Sequence, residues 1–186
     1  WVESPVARYR SKQYLNNQFS FVSNLPVNLQ ERLTIRLHGA SNRLGWSEDK
    51  LWLDKFSSID LDYGKENIKK LIKKNRLIIH SYNSTGILEL LAYDIPTIFF
   101  WDINCWPIRN EALPYYEKLI DVGVFHLSPE SAAYKVKEVW DDLDCWWSSS
   151  ELQSARKMFC EQFANIPNNP VAVMTDALTC DINLKR

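Results

Sequence analysis

The stretch HSYNSTGILELLAYDIPTIFFWD, residues 80 to 102, contains the end of one strand, a complete helix and a second strand. Apolar residues at helical spacing predict a helix over 84–93, and the unbroken apolar run 97–101 predicts a strand buried on both faces. Because a helix connects the two strands, the strands are expected to lie parallel. The stretch therefore indicates an α/β fold.

The rest of the chain repeats this alternation of short apolar strands and amphipathic helices. The predicted strands are 33–38, 59–61, 77–82, 97–101 and 124–126, and the predicted helices are 12–25, 47–56, 65–75, 84–93, 110–122, 129–143, 150–164 and 170–179. The pattern predicts a Rossmann-like, doubly wound parallel sheet of about five strands with C-terminal helices. Ligands of such sheets bind beyond the carboxyl ends of the strands.

Composition narrows the class of protein. The 186 residues suit one globular domain, and a formal net charge of −1 argues against a nucleic-acid-binding surface. The four cysteines have no metal-binding spacing, so we expect reduced thiols, with one disulfide as the alternative. No apolar run reaches the roughly 18 residues of a membrane span. The chain begins with Trp1 rather than Met, from which we expect a piece of a longer protein.

Polar residues at the start of helix 84–93 indicate a ligand site. Asn83, Ser84 and Thr85 follow a strand, and a helix N-terminus there would offer free N–H groups and a positive dipole to an anion. Gly86 would let the ligand approach the backbone closely. The alternative is that these residues only cap the helix.

Glu89 favours the ligand interpretation. It follows Thr85 by four residues, so the two side chains share a helix face one turn apart, and neither Ser84 nor Thr85 forms a capping box with it. Surrounded by leucines, Glu89 is expected to be buried, where it would need hydrogen-bond partners. A phosphate at the helix start and a ribose diol at Glu89 fit this spacing, which predicts a nucleotide site.

The stretch STGILELLAYDIPTIFF, residues 84–100, resembles the donor-binding motif in the C-terminal half of GT-B glycosyltransferases. Together with RLHGASNRLGW at 36–46, RNEALPYYEKLIDVGVFHLSPESAA at 109–133 and VWDDLDCWW at 139–147, it is similar to bacterial O-antigen and surface-polysaccharide transferases related to enzymes that use CMP-Kdo. The motifs follow one another in the same order as in that family, and the similarity extends over residues 9–164.

The resemblance implies that residues 1–186 form a single C-terminal nucleotide-sugar-binding lobe. The acceptor site and the catalytic residues would belong to an N-terminal lobe that is missing from this chain. The partners implied are a nucleotide-sugar donor and a glycan acceptor, with no metal and no further cofactor. The implied reaction moves a sugar such as Kdo onto a growing surface polysaccharide, in the cytoplasm or at the inner membrane surface.

The same resemblance assigns residues to the donor site. Arg36 and His38 match a basic residue and a His-Pro element after an early strand, although Gly39 stands where proline is expected. Arg36 as a surface cation and His38 as a plain loop histidine are the alternatives. Tyr82 would stack on the base or belong to the core. Arg109 would pair with a sugar carboxylate, or with a neighbouring acid, Glu111 or Asp102.

Other groups are interpreted as structural. His80 and His126 are expected to pack inside the fold, and the lysines at 69, 70, 73 and 74 are expected to be a solvated helix face. Two further functions stay open at this point. They are a nucleotide-sugar epimerase with the same fold, and a nucleotide-binding module without catalysis.

Overall fold

The computed structural model of the chain describes residues 10–37 and 47–183, with only the backbone described for 180–183. Its elements are α1 (Ser11–Asn24), α2 (Val27–Gln30), β1 (Thr34–Arg36), α3 (Glu48–Lys55), β2 (Asp60–Asp62), α4 (Ile68–Lys74), β3 (Ile78–His80), α5 (Thr85–Ala92), β4 (Thr97–Phe100), a 3-10 turn (Asn110–Ala112), α6 (Leu113–Asp121), β5 (Phe125–His126), α7 (Pro129–Val139), α8 (Leu143–Ser148), α9 (Ser150–Phe163) and α10 (Pro170–Asn183). Each predicted strand is present, so the α/β class is confirmed.

The strands form two parallel sheets rather than the single sheet of about five strands that the sequence predicts. β1 pairs with β2, and β3, β4 and β5 pair in that order. In the described part of the chain no backbone pairing joins β1 to β3. The two sheets share a hydrophobic cluster instead, because Ile35 of β1 and Ile79 of β3 both pack against it.

β4 is the central strand, and all four of its residues are buried. Alternate side chains point to opposite faces of a strand. Ile98 and Phe100 accordingly belong to one hydrophobic cluster, while Phe99 belongs to another on the opposite face. On the first face the ring of Phe21 in α1 stacks on Phe100 with centroids 5.2 Å apart, and on the second Phe99 stacks on Phe125 at the same separation.

Helices cover both faces of the three-stranded sheet. α1 and α7 pack together over the face that carries Ile98 and Phe100. α5, α6 and α9 cover the opposite face, where Leu91, Leu119 and Phe159 are completely buried. This layered arrangement is what a parallel sheet requires, since its strands have no solvated face. It leaves the ends of the strands as the places where polar groups can gather.

The predicted helix 129–143 ends earlier than the sequence indicates. α7 stops at Val139, whose carbonyl accepts the N–H of Asp142 in a turn, and a separate helix, α8, follows. The break has a physical basis. It redirects the chain so that the indole of Trp147 is buried and its Nε1 donates to Asp94 Oδ1 at 3.0 Å. None of the helices in residues 10–37 and 47–183 is both long enough and apolar enough to cross a bilayer.

The C-terminal end of α5 is fixed by a buried arginine of α9. Arg156 is 8% exposed, and its Nη1 donates to the carbonyl of Leu91 at 2.6 Å. Its Nε lies 3.0 Å from Oδ1 of Asp94, a residue in the left-handed conformation that ends the helix. A cation at a helix C-terminus satisfies carbonyls that lack an intrahelical partner and complements the dipole.

Replacing Arg156 with methionine should lower the free energy of unfolding by about 1.5–3 kcal/mol, the usual worth of a hydrogen bond to a charged group. The loss comes chiefly from the Leu91 carbonyl, because the Asp94 side chain is 52% exposed and its attraction is screened by water. Urea denaturation measures the effect. Lys157→Met is the matched control, since Lys157 is exposed on the same helix. Equal effects of both substitutions would contradict an anchoring role for Arg156.

Candidate functional site

The polar segments predicted to bind a ligand follow β3, β4 and β5. Because these strands are parallel, their carboxyl ends lie at one edge of the sheet. Ser81 comes directly after β3, Asp102 shortly after β4, and Ser128 shortly after β5. The α5 helix also begins at this edge, at Thr85.

The first turn of α5 has no side-chain cap among the described residues. Ser84 occupies the N-cap position with extended backbone angles (φ −135°, ψ 156°), but its hydroxyl lies 3.3 Å from Nδ1 of His80 instead of accepting an N–H of the helix. By contrast, Ser128 caps α7 by accepting the N–H of Ser131 at 3.2 Å. The capping interpretation of Ser84 is therefore wrong. The Ile87 N–H donates to the Ser84 carbonyl at 3.2 Å, and the N–H groups of Thr85 and Gly86 have no side-chain acceptor among the described residues.

Position 86 must be a glycine because the His80 ring packs directly against it. A Cβ added at Gly86 would lie 3.0 Å from Cε1 of the His80 ring and 3.4 Å from its Nε2, so a larger residue would displace the imidazole. The ring therefore lies close against the first turn of α5, where the sequence predicts the approach of a ligand. Burial lowers the pKa of His80 to about 4, which keeps its imidazole neutral at pH 7.

Glu89 is exposed, so the prediction that it is buried among leucines is wrong. The apolar residues Ile87, Leu90 and Leu91 turn toward the core and leave the carboxylate on the outer face of the helix. Thr85 is also exposed, which is the shared face that the spacing predicts. Glu89 borders an open cavity of about 330 Å³, lined by Lys69, Leu88, Glu89, Ala92, Tyr93 and Ile166.

Tyr82 belongs to a group of rings at the sheet edge. Its centroid lies 6.2 Å from Tyr14 of α1, 6.2 Å from Trp106 of the loop after β4, and 6.4 Å from His80. Tyr82 is partly buried and so keeps some surface open to solvent. It therefore packs at the edge of the fold and presents part of its ring beside the α5 N-terminus, and its contact with a base stays a prediction.

α1 holds the loops of this edge in place, a role that its apolar periodicity did not reveal. Gln18 Nε2 donates to the hydroxyl of Ser81 at 2.8 Å, and the Tyr14 hydroxyl lies 3.2 Å from the same oxygen. Gln13 Nε2 donates to Asp102 at 2.9 Å. Burial raises the pKa of Tyr14, which keeps the phenol protonated. The signal in the sequence is the i, i+4 spacing of Tyr14 and Gln18, which places both on one helix face.

The predicted arginines do not reach the α5 N-terminus through any contact in the described residues. Arg36 pairs with Asp62 at 2.5 Å and donates to the carbonyl of Glu66 at 3.1 Å. Arg109 is exposed and forms no ion pair with Glu111 or Asp102 in the described ranges. His38 lies outside the described residues, as does Gly39.

Metal and thiol chemistry have few candidate groups in the described ranges. No cluster of three histidine, cysteine, aspartate or glutamate side chains there has the geometry to hold a metal ion. Cys105, Cys145 and Cys160 are free thiols, and Cys180 has no described side chain. Burial raises the pKa of Cys160, so its reactive thiolate form is disfavoured.

A family model described as LIC12162 family transferase matches residues 3–178, which is nearly the whole chain. No curated protein matches the chain. No solved structure matches it either.

The buried His80 should make the fold sensitive to acid. Its pKa is about 4 in the folded chain and 6.5 ordinarily, so the unfolded chain binds more protons between these values. The stabilisation is complete above pH 6.5 and is lost as the pH falls toward 4, on the order of 2–3 kcal/mol. Denaturant unfolding at several pH values should show a shallower acid loss for His80→Asn. His126→Asn is the comparison, because burial also lowers the pKa of His126. An unchanged acid loss in His80→Asn would contradict this assignment.

Proposed function

We propose that the chain, which belongs to the LIC12162 family of transferases, binds the nucleotide-sugar donor of a glycosyl transfer reaction. In this proposal it is the donor lobe of a GT-B enzyme, and the acceptor glycan and catalytic groups are held by an N-terminal lobe. The observation that carries the proposal is the uncapped N-terminus of α5, which begins at the carboxyl edge of a parallel sheet.

The proposed fold is Rossmann-like and doubly wound. β1 and β2 form one sheet and β3, β4 and β5 form the other, with a hydrophobic cluster shared by both. This arrangement supports the strand order β2-β1-β3-β4-β5, in which β2 lies outside β1 on one side and β4 and β5 lie outside β3 on the other. The switch point would then lie between β1 and β3, close to the start of α5.

The phosphate of the donor is proposed to bind the backbone N–H groups of Thr85 and Gly86. These groups lie at the positive end of the helix dipole, and the carbonyl of Leu91 at the other end is already bound by Arg156. N–H groups fixed in place before reaction stabilise the negative charge that develops on a leaving phosphate. Asn83 and Ser84 shape the approach to this turn.

The ribose is proposed to lie one turn further along α5. The carboxylate of Glu89 is exposed on the face it shares with Thr85, and no described residue forms an ion pair with it. It is therefore free to accept hydrogen bonds from the two ribose hydroxyls. Tyr82 presents a partly exposed ring near the same helix start, where it would contact the base.

The sugar is proposed to be a keto acid such as Kdo, delivered as its CMP conjugate and transferred to a bacterial surface polysaccharide. A CMP donor has one phosphate, and residues 83–94 contain no lysine or arginine for a second one. Arg109, which is exposed, would pair with the sugar carboxylate through its planar guanidinium. Arg36, which ends β1, and His38 are the remaining residues of the proposed donor site.

Competitive binding of CMP, CDP, UMP, UDP and GDP, measured by calorimetry, tests this proposal. We expect CMP to bind most tightly and the chain alone to consume no donor. Preferential binding of UDP or GDP would overturn the CMP assignment but not the transferase class. Donor conversion without an acceptor would indicate an epimerase, and robust sugar transfer by these 186 residues would contradict the donor-lobe assignment.

Ser84→Asp separates a binding site from a helix cap because stability and binding should change in opposite directions. An aspartate at the N-cap would accept an N–H of the first turn and complement the dipole, which raises stability by about 0.5–1 kcal/mol. The same carboxylate would occupy and repel the phosphate site. Nucleotide affinity should therefore fall at least tenfold, equivalent to the roughly 1.5–3 kcal/mol of a charged hydrogen bond.

Thermal melting and calorimetry on the same sample measure both effects. Ser128→Asp is the matched control, because Ser128 already caps α7 and lies outside the proposed phosphate site. We expect this control to bind nucleotide normally. Normal nucleotide binding by Ser84→Asp would exclude the α5 N-terminus as the phosphate site.

A further inference from the structure

A basic surface lies on and beside α4. Residues 65–76 carry a net charge of +5 in a chain whose formal total is −1, so the rest of the sequence is at −6. All the cationic side chains of this segment are exposed. We call them the basic face: Lys65, Lys69, Lys70, Lys73, Lys74 and Arg76.

Ion pairing does not account for the basic face. Lys74 pairs with Glu66 at 2.6 Å, and Arg76 lies 5.5 Å above the ring of Trp140. In the described residues the other four lysines have no acidic partner. Like charges at i and i+4, as in Lys69 and Lys73, destabilise a helix. The arrangement therefore opposes helix stability, which argues for an anionic partner.

Exposed apolar side chains border the basic face. Tyr93 is 67% exposed and Ile166 is 54% exposed, and both line the cavity that includes Lys69. α10 begins at Pro170, four residues after Ile166, so its start lies within about 14 Å of Ile166. This helix exposes four large apolar side chains, which are Val171, Val173, Met174 and Leu178.

The combination of cations and exposed apolar groups indicates the kind of partner. A lone helix of 14 residues is marginal in water, and α10 exposes most of its described residues. Lipid surfaces supply both missing interactions, since anionic headgroups attract lysines and the interface buries apolar side chains. Nucleic acid would leave the apolar helix uncovered. We propose that the basic face and α10 dock the protein on an anionic membrane surface.

Flotation with vesicles tests the proposal on the intact chain. Vesicles of equal parts phosphatidylglycerol and phosphatidylcholine should bind the protein, whereas pure phosphatidylcholine vesicles should bind it weakly. Binding should weaken as salt is added, because salt screens the attraction of lysines to headgroups. Failure to bind the anionic vesicles at low salt would overturn the proposal.

A triple substitution, Lys65→Gln, Lys70→Gln and Lys73→Gln, tests the basic face. It spares Lys69, which shares a cavity with Glu89, and glutamine keeps the helix propensity of lysine. Binding to the anionic vesicles should fall roughly a hundredfold, since each lysine near the surface contributes separately. In the control variant, three exposed lysines elsewhere, Lys55, Lys137 and Lys157, are changed to glutamine. The two variants therefore have the same total charge. Equal losses in the two variants would exclude a specific basic face.

A second pair of variants tests the apolar contribution. Met174→Ser with Leu178→Ser should reduce vesicle binding several-fold, and Val27→Ser with Leu127→Ser, which are also exposed, should not. A duplex oligonucleotide and poly-glutamate serve as competitors. If either binds the chain more tightly than the vesicles do, the partner is a nucleic acid or an acidic protein, and the membrane proposal is wrong. CMP titration of each variant keeps the outcome separate from that of the donor site.

Discussion

The burial of β4 on both faces is the constraint on which the rest of the structure depends. Ile98 and Phe100 need an apolar layer on one side, and Phe99 needs another on the opposite side. α1 and α7 supply the first layer, while α5, α6 and α9 supply the second. With both faces closed, the ends of the strands are the places where polar chemistry can occur. α5 starts at the carboxyl end, where side chains of α1 also form hydrogen bonds with Ser81 and Asp102.

The two ends of α5 are treated differently, and this asymmetry gives the helix its chemical character. At the C-terminal end, Arg156 binds the Leu91 carbonyl, and the Asp94 carboxylate accepts a hydrogen bond from the Trp147 indole. At the N-terminal end, Ser84 turns to His80 and leaves the first turn without a side-chain cap. The helix is thus anchored at one end, and at the other it lacks the side-chain cap that would satisfy its first N–H groups, which is the feature on which the proposed phosphate site depends.

Sequence periodicity predicted the strands and most helices closely, because apolar spacing reflects burial directly. It could not predict which strands pair, since in the described residues β1 and β3 share a hydrophobic cluster without backbone pairing. It also predicted, wrongly, that Glu89 is buried. In a segment this rich in leucine, the spacing of the apolar residues does not show which side of the helix faces solvent. Arg156 was missed since its role comes from a helix 65 residues away in sequence. The start of α5 was predicted correctly because strand, polar turn and helix are neighbours in the chain, while its role as a ligand site stays a prediction.

The two proposed surfaces share one structural element, which relates donor binding to the membrane. Glu89 and Lys69 line the same cavity, so the outer face of α5 adjoins the basic face. An eight-residue helix is about 12 Å long, and Tyr93 follows its last residue. A phosphate at Thr85 would therefore lie roughly one helix length from Tyr93, the side chain that would border the proposed lipid surface. Because that distance is comparable to a small glycan, the two proposals together place a donor at α5 within reach of acceptors close to the bilayer.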